Sequence, residues 1–231
     1  MNPDVLQELA YLRELGYTHL DLTPVRTKTE AAVEAMGDAA LEAAGDQPGA
    51  FDALRLEAHN CQSCRLAGTR TNVVFGVGNP NADLMFIGEA PGFDEDKKGE
   101  PFVGRAGQLL TDIIKAMKLT RDDVYIANVI KCRPPENRNP EPDELESCRP
   151  FIQRQVALIQ PKVIVTLGRF GLQSLTEKSY GISAVRGQWL DYNGIKLMPT
   201  YHPAYLLRTP SAKKDVWNDM KKVMTELGIG A

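Results

Sequence analysis

Four cysteines are the residues of this sequence whose type and spacing point most directly to chemistry. Cys61 and Cys64 are separated by two residues, so both thiolates could reach one metal ion or cluster. Cys132 and Cys148 lie 16 positions apart, which is too far for the second half of a common zinc knuckle. Four thiolates at such wide, unequal spacing suit a structural 4Fe–4S cluster. Zinc, or four unrelated buried cysteines, are the alternatives.

A second signal is the stretch from residue 87 to 107, which reads IGEAPGFDEDKKGEPFVGRAG. It follows an apolar run typical of a buried parallel strand, and a helical pattern begins near Arg105. Open α/β sheets bind ligands at loops of this kind, at the carboxyl ends of their strands. Phe102 lies among glycines, where an exposed ring would gain nothing. We therefore predict a ligand site here, with a solvated loop, or a core role for Phe102, as the alternatives.

The rest of the sequence supplies the elements that would position these residues. Apolar runs predict candidate strands at residues 82–87, 124–130, 162–167, 188–192 and 195–200. Helical patterns lie at residues 51–60, 107–117, 142–159, 170–175 and 211–227. Strands that alternate with helices favour a three-layer α/β/α sandwich around a mostly parallel sheet of about four strands.

Residues 1–50 differ in character from the rest. Helical patterns at 4–16 and 30–45 are followed by a linker-like segment at 45–49, and we predict an acidic helical extension and linker before a catalytic domain at 51–231. The extension could bind a protein partner, although a weakly ordered appendage is the simpler interpretation.

Charge is distributed unevenly along the chain. The net charge is -3, yet residues 1–60 carry 4 Lys and Arg against 11 Asp and Glu, whereas residues 151–231 carry 11 against 5. The basic C-terminal part permits a polyanionic partner. No apolar run approaches the length of a membrane span, and no secretory leader pattern is present, so we expect a cytoplasmic protein, most simply a monomer.

Four short segments, together with the four cysteines, resemble the family 4 uracil-DNA glycosylases. They are GEAPG at 88–92, EPFVGRAG at 100–107, NVIKCRPP at 128–135 and HPAY at 202–205. The resemblance covers about residues 55–228, and it implies an enzyme that flips deoxyuridine out of DNA and hydrolyses its N-glycosidic bond. It also implies a 4Fe–4S cluster on the four cysteines.

The resemblance assigns roles to individual residues around the base. Phe102 matches the stacking phenylalanine, and the Asn128 amide matches the group that accepts from N3 and donates to O4 of uracil. Glu95 matches the acid that lies where a thymine methyl would go. Glu89, a candidate catalytic residue, and Ala90 would shape the pocket floor together with Gly92.

His202 is the residue we expect to carry most of the rate. A fixed donor aimed at O2 of uracil would stabilise the negative charge that develops there. Related families position the water with an Asp or Asn where this chain has Ala90, which leaves the water-activating group open.

The segment after His202 resembles the family's DNA-insertion loop. Its candidates for DNA contact are Leu206, Leu207, Arg208, Ser211, Lys213 and Lys214. Some relatives trap DNA covalently through a histidine in an insert between residues 98 and 102, where this chain has only Gly-Glu-Pro. We therefore predict turnover by a monofunctional glycosylase. A noncatalytic DNA-binding module associated with a polymerase is the main alternative, and a zinc-stabilised enzyme acting on free nucleotides is another.

Overall fold

A computed structural model describes residues 47–230 apart from 177 and 179. The predicted helices at 4–16 and 30–45, and so most of the predicted extension, lie outside the described residues. The helices are α1 (Gln47–Asn60), α2 (Phe93–Lys98), α3 (Arg105–Ala116), α4 (Pro142–Ile159), α5 (Arg169–Thr176), α6 (Ile182–Val185), α7 (Pro203–Arg208) and α8 (Lys213–Glu226). The strands are β1 (Val77–Gly78), β2 (Leu84–Gly88), β3 (Tyr125–Asn128), β4 (Val163–Leu167), β5 (Leu190–Tyr192) and β6 (Ile195–Thr200).

The strands form one sheet in the order β1-β3-β2-β4-β6-β5. The inner strands β3, β2, β4 and β6 are parallel, whereas β1 and β5 pair antiparallel at the two edges. The prediction of about four strands therefore describes the parallel centre, and two short edge strands raise the total in the described residues to six. Of the two edge strands, β5 lies within the candidate strand at 188–192, whereas β1 was not predicted because it has only two residues.

Helices cover both faces of this sheet, which confirms the predicted α/β/α layers. Successive side chains of a strand point to opposite faces. Met85 and Ile87 of β2 accordingly join the core with α1, α4 and α5, whereas Leu84 and Phe86 join the core with α3, α7 and α8. The near-continuous apolar strands follow from burial on both faces.

The structure corrects the prediction at two places. Helix α1 begins at Gln47, so residues 47–49 are helical and not part of a linker. The stretch from 87 to 107 also contains α2, which begins after Gly92, whose N–H donates to the Glu95 carboxylate. The helix ends at Gly99, whose φ of 75° suits a left-handed helix end. Among the residues described, no helix combines the length and apolarity needed to cross a bilayer.

Candidate active site

Three parallel strands end at the same edge of the sheet and place the predicted site residues there. Gly88 ends β2 and pairs with Asn128, which ends β3. His202 follows the end of β6, two strands away from β2 across β4. Because the carboxyl ends of parallel strands share one edge, residues 114 positions apart in the sequence (88 and 202) come together.

Asn128 and Phe102 meet directly above Gly88. A Cβ on Gly88 would overlap both Oδ1 of Asn128 and the tip of the Phe102 ring, so only glycine leaves room for them. Asn128 is 2% exposed, and its Oδ1 has no hydrogen-bond partner. A buried acceptor without a partner is costly unless a ligand supplies the donor. The amide is therefore prepared for a ligand N–H.

The Phe102 ring is held by an unusual backbone. Phe102 has a φ of 55°, in the left-handed region that a bulky residue rarely adopts. The guanidinium of Arg121 donates to the carbonyls of Phe102 (3.2 Å) and Pro101 (2.8 Å). Gly107 lies so close that a Cβ there would overlap the Phe102 carbonyl. Arg121 and Gly107 thus fix the loop that presents the ring.

His202 caps the amino end of α7. Its Nδ1 accepts a hydrogen bond from the Ala204 backbone N–H at 3.1 Å. A nitrogen that accepts from a backbone amide carries no proton, so the neutral ring has its proton on Nε2. Burial, reinforced by the positive charge of Arg208, lowers the pKa of His202 to about 4. At neutral pH the residue is therefore an uncharged donor through Nε2.

A cavity of about 400 Å³ opens between these side chains. The rings of Phe102 and His202 stand 5.6 Å apart between centroids, with 34° between their planes. All the residues predicted to touch the base line this cavity: Glu89, Ala90, Gly92, Glu95, Phe102, Asn128 and His202. Residues that the sequence reasoning missed also line it: Pro91, Ala106, Pro134, Asn137, Arg138, Ala204 and Tyr205. All of them except Asn137 and Arg138 lie within the four segments that carry the resemblance, which were the available signal.

Two carboxylates of the cavity have different surroundings. Burial raises the pKa of Glu89 to about 7, against the opposing charge of Arg169. Glu95 instead accepts from three backbone N–H groups, those of Gly92 (3.1 Å), Val103 (3.0 Å) and Gly104 (3.0 Å). Glu95 is thus a fixed wall that ties the start of α2 to the Phe102 loop, whereas Glu89 can exchange a proton near neutral pH.

Comparisons with known proteins bear on this geometry. The family model for the uracil DNA glycosylase superfamily matches residues 75–221. The chain belongs to this superfamily.

A type-4 uracil-DNA glycosylase of Sulfurisphaera tokodaii is 46% identical over 188 residues, which are 78% of this chain and 85% of the relative. One of Archaeoglobus fulgidus is 45% identical and covers 75% of this chain and 91% of its own length. A third, of Thermotoga maritima, is 46% identical, with 72% and 84% covered. The family predicted from the short segments is confirmed.

In this member of the uracil-DNA glycosylase superfamily, the candidate DNA contacts after His202 divide by exposure. Leu206 is 0% exposed, because it lies on the side of α7 that packs into the core. This corrects the prediction that Leu206 fills the gap left in DNA by the extracted base. Leu207, one position along the helix, is 45% exposed and remains a candidate for that role. Arg208 is exposed and lines the cavity, and Ser211, Lys213 and Lys214 are exposed beyond it.

The four cysteines of this family member line a second, small cavity. All four are free thiols, and two receive hydrogen bonds: the Lys131 N–H donates to Sγ of Cys148 and the Arg70 guanidinium to Sγ of Cys132, each at 3.3 Å. Among the described residues, no group of three or more His, Cys, Asp or Glu side chains is arranged to hold a metal ion.

Proposed function

We propose that this protein removes uracil from DNA by hydrolysing the N-glycosidic bond, releasing the base and leaving an abasic site. One observation carries the proposal: the ring of Phe102, the unpartnered amide of Asn128 and the Nε2–H of His202 converge on a single cavity. A passive DNA-binding module has no need of such a set. The type-4 relatives bear the name of this activity.

The cavity can recognise uracil through complementary hydrogen bonds. Extraction of a base from a duplex costs a few kcal/mol of stacking and pairing. Stacking on Phe102 recovers part of that cost. The Asn128 Oδ1 would accept from N3–H and its amide N–H would donate to O4, so that binding satisfies the buried oxygen. Cytosine, which lacks a proton on N3, would leave that oxygen unpaired, and the resulting penalty discriminates against it.

Thymine differs from uracil by a methyl group, so it has to be excluded sterically. Glu95 is the proposed barrier. Its carboxylate accepts three backbone hydrogen bonds and cannot swing aside without breaking them. A wall held in this way rejects a methyl better than a mobile side chain would.

His202 would supply the main stabilisation of the transition state. Bond cleavage leaves negative charge on the uracil ring, chiefly at O2, while the deoxyribose gains positive charge. A neutral donor that is already oriented by Ala204 needs no reorganisation to meet that charge. Mutation of such donors in other enzymes costs about 10²–10³ in rate.

Glu89 is the proposed base for the attacking water. A carboxyl group with a pKa of about 7 is about half ionised near neutral pH and can accept a proton. Ala90, at the position where related families carry a polar side chain, offers no competing group. No lysine lines the cavity among the described residues, and the buried Lys131 instead donates to the carbonyl of Asn128 and to Gln155. These contacts support a monofunctional glycosylase without Schiff-base chemistry.

We also propose that the four cysteines hold a structural 4Fe–4S cluster. A four-iron cluster takes one cysteine at each iron, so its ligands surround a space, whereas zinc draws its ligands within about 2.3 Å of one point. The four cysteines line one cavity, and N–H groups donate to two of their sulfurs, as is common around clusters. Free thiols suit the cytoplasm, a reducing compartment. The negative charge of residues 1–50 disfavours binding to DNA, so in this proposal they are available to a protein partner.

An excision assay tests the proposed function. Purified protein is incubated with a duplex that contains one deoxyuridine, and the DNA is then treated with alkali. We expect strand cleavage only after alkali, because the abasic site is alkali-labile. A duplex with thymidine at the same position is the control and should stay intact. An intact deoxyuridine strand after alkali would favour the binding-module alternative.

A further inference from the structure

Phe93 is a large apolar residue that the proposed site does not use. It begins α2, directly after Gly92 of the cavity wall, and it is 48% exposed. The Lys97 ammonium lies 4.6 Å and the Arg133 guanidinium 5.1 Å from the centre of its ring. We call these three residues the Phe93 patch. An exposed ring between two cations presents both a stacking surface and positive charge.

The Phe93 patch and α7 follow different strands of the sheet. Phe93 and Lys97 follow β2 and Arg133 follows β3, whereas α7 follows β6, and the order of these strands is β3-β2-β4-β6. Neighbouring strands are about 4.8 Å apart, so β6 lies about 10 Å from β2 and about 14 Å from β3. A DNA strand that delivers one nucleotide into the cavity would leave the mouth on both sides. The candidate DNA contacts in the segment after His202 account for only one of these two sides of the mouth.

The carboxylates nearest the patch mostly make hydrogen bonds within the protein. Glu95 and Asp96 of α2 accept hydrogen bonds from backbone N–H groups, Asp96 from Thr71 at 2.9 Å. Asp94 remains exposed, but it lies against Gly104 at the start of α3. Phe93 and Lys97 are four residues apart and share one side of the helix, so they form a continuous surface.

We propose that the Phe93 patch binds the DNA strand next to the extracted nucleotide, on the side away from α7. Phe93 contacts the base or sugar of the adjacent nucleotide, and Lys97 contacts its phosphate. Stacking on an aromatic ring is independent of sequence because every base has a π face. The inference rests on the proposed excision of uracil from DNA, since it places a strand across the same cavity.

The test compares F93A/K97A with the original chain. Arg133 is left unchanged, because its Nε donates to Asn137 in the cavity wall at 2.7 Å. The probe is a short single strand with one central 2′-fluorinated deoxyuridine, whose N-glycosidic bond resists cleavage. We expect Kd to rise about tenfold, and the slope of log Kd against log salt to fall by about one. The single-turnover rate of excision at saturating ordinary substrate should be unchanged.

Two matched variants control for general effects. K98A removes the same charge from the next residue, which pairs with Glu100 at 3.0 Å. L56A removes an exposed apolar side chain, 65% exposed, from α1. Both should bind the probe as the original chain does. Equal losses of affinity in K98A and F93A/K97A would overturn the assignment of the patch.

Truncated probes locate the contact. One probe ends at the deoxyuridine on its 5′ side and another on its 3′ side. We expect one of them to abolish the difference in Kd between F93A/K97A and the original chain. Equal Kd values on the full probe, or a difference that survives both truncations, would overturn the inference while uracil excision by the original chain persists. Absence of excision by the original chain would contradict the proposed function instead.

Discussion

Nδ1 of His202 accepts a hydrogen bond from the backbone N–H of Ala204 at 3.1 Å. This contact determines which ring nitrogen carries the proton, and it leaves Nε2–H as the donor available to a ligand. Ala204 is the second residue of α7, so the short helix after β6 orients the imidazole. The Pro203 of the HPAY segment starts that helix at a position where no backbone donor is needed.

Replacement of His202 by alanine should slow excision while leaving DNA affinity close to normal. The donor matters chiefly in the transition state, so we expect a fall of about 10²–10³ in the single-turnover rate. Anisotropy with the fluorinated strand measures affinity separately. His59→Ala, at an exposed histidine of α1, is the control and should keep full activity. Near-normal rates in His202→Ala would remove the residue from the mechanism.

The profile of excision rate against pH should have a limb with a midpoint near pH 7, caused by ionisation of Glu89. A base must be ionised, so the rate should fall as the pH drops through the pKa of about 7. His202 stays neutral down to about pH 4 and adds no limb near neutrality. Glu89→Gln should lower the rate and remove the limb at pH 7.

Ionisation of Glu89 should lower the stability of the fold, although it raises the excision rate. Its raised pKa means that the folded state favours the protonated form, so the stability contribution is present at low pH and is lost as the pH rises through about 7. Above that pH, Glu89→Gln should therefore raise Tm slightly although it impairs activity. A limb at pH 7 that persists in Glu89→Gln would assign it to another group.

Gly88→Ala should fill the floor of the cavity. Its Cβ would overlap Asn128 Oδ1 and the Phe102 ring, so both must move away from the base. We expect a loss of uracil excision of at least about 10², because small displacements of positioned groups are costly. Gly181→Ala is the matched control, since its Cβ would meet nothing within 4 Å. Wild-type activity in Gly88→Ala would contradict the proposed binding mode.

Much of this site could be predicted because it depends on strand ends. Buried apolar runs reveal the parallel strands. Asn128 ends one of them and His202 follows another, so their convergence comes from topology alone. Leu206 and Leu207 could not be separated in this way. The sequence does not reveal which side of a six-residue helix faces the core, and Leu206 occupies that side.

The role of Arg121 could not be predicted from the sequence, for a different reason. It lies 19 residues from Phe102, and its role consists of hydrogen bonds to main-chain carbonyls, which leave no pattern in the sequence. Glu95 was predicted as a contact to the base, but its three backbone hydrogen bonds depend on the path of the loop. Long-range contacts of this kind emerge only from the folded chain.

Arg121→Met should loosen the Phe102 loop. It removes donors to the carbonyls of Pro101 and Phe102 and so weakens the support of the left-handed backbone at Phe102. We expect a lower Tm and an increase in KM of about tenfold, since hydrogen bonds from charged groups contribute about 1.5–3 kcal/mol each. Arg121→Lys keeps one charged donor and should recover part of the effect. Equal KM values in the original chain and Arg121→Met would show that the loop holds without this contact.

The proposed 4Fe–4S cluster should stabilise the fold around the four cysteines. Arg65, next to Cys64, pairs with Glu144 of α4 at 3.0 Å, and Cys148 lies one turn further along that helix. The same carboxylate accepts from Arg138 of the cavity wall at 2.6 Å. A cluster on the four cysteines would therefore hold together segments that also contact the uracil cavity.

Protein purified without oxygen should be brown and contain about four irons per chain. Cys148→Ala should lose the iron and lower Tm, whereas Gln62→Ala, at an exposed residue that does not line the cysteine cavity, should retain both. Colourless protein with one zinc per chain would contradict the cluster, and unchanged Tm after loss of iron would contradict its structural role.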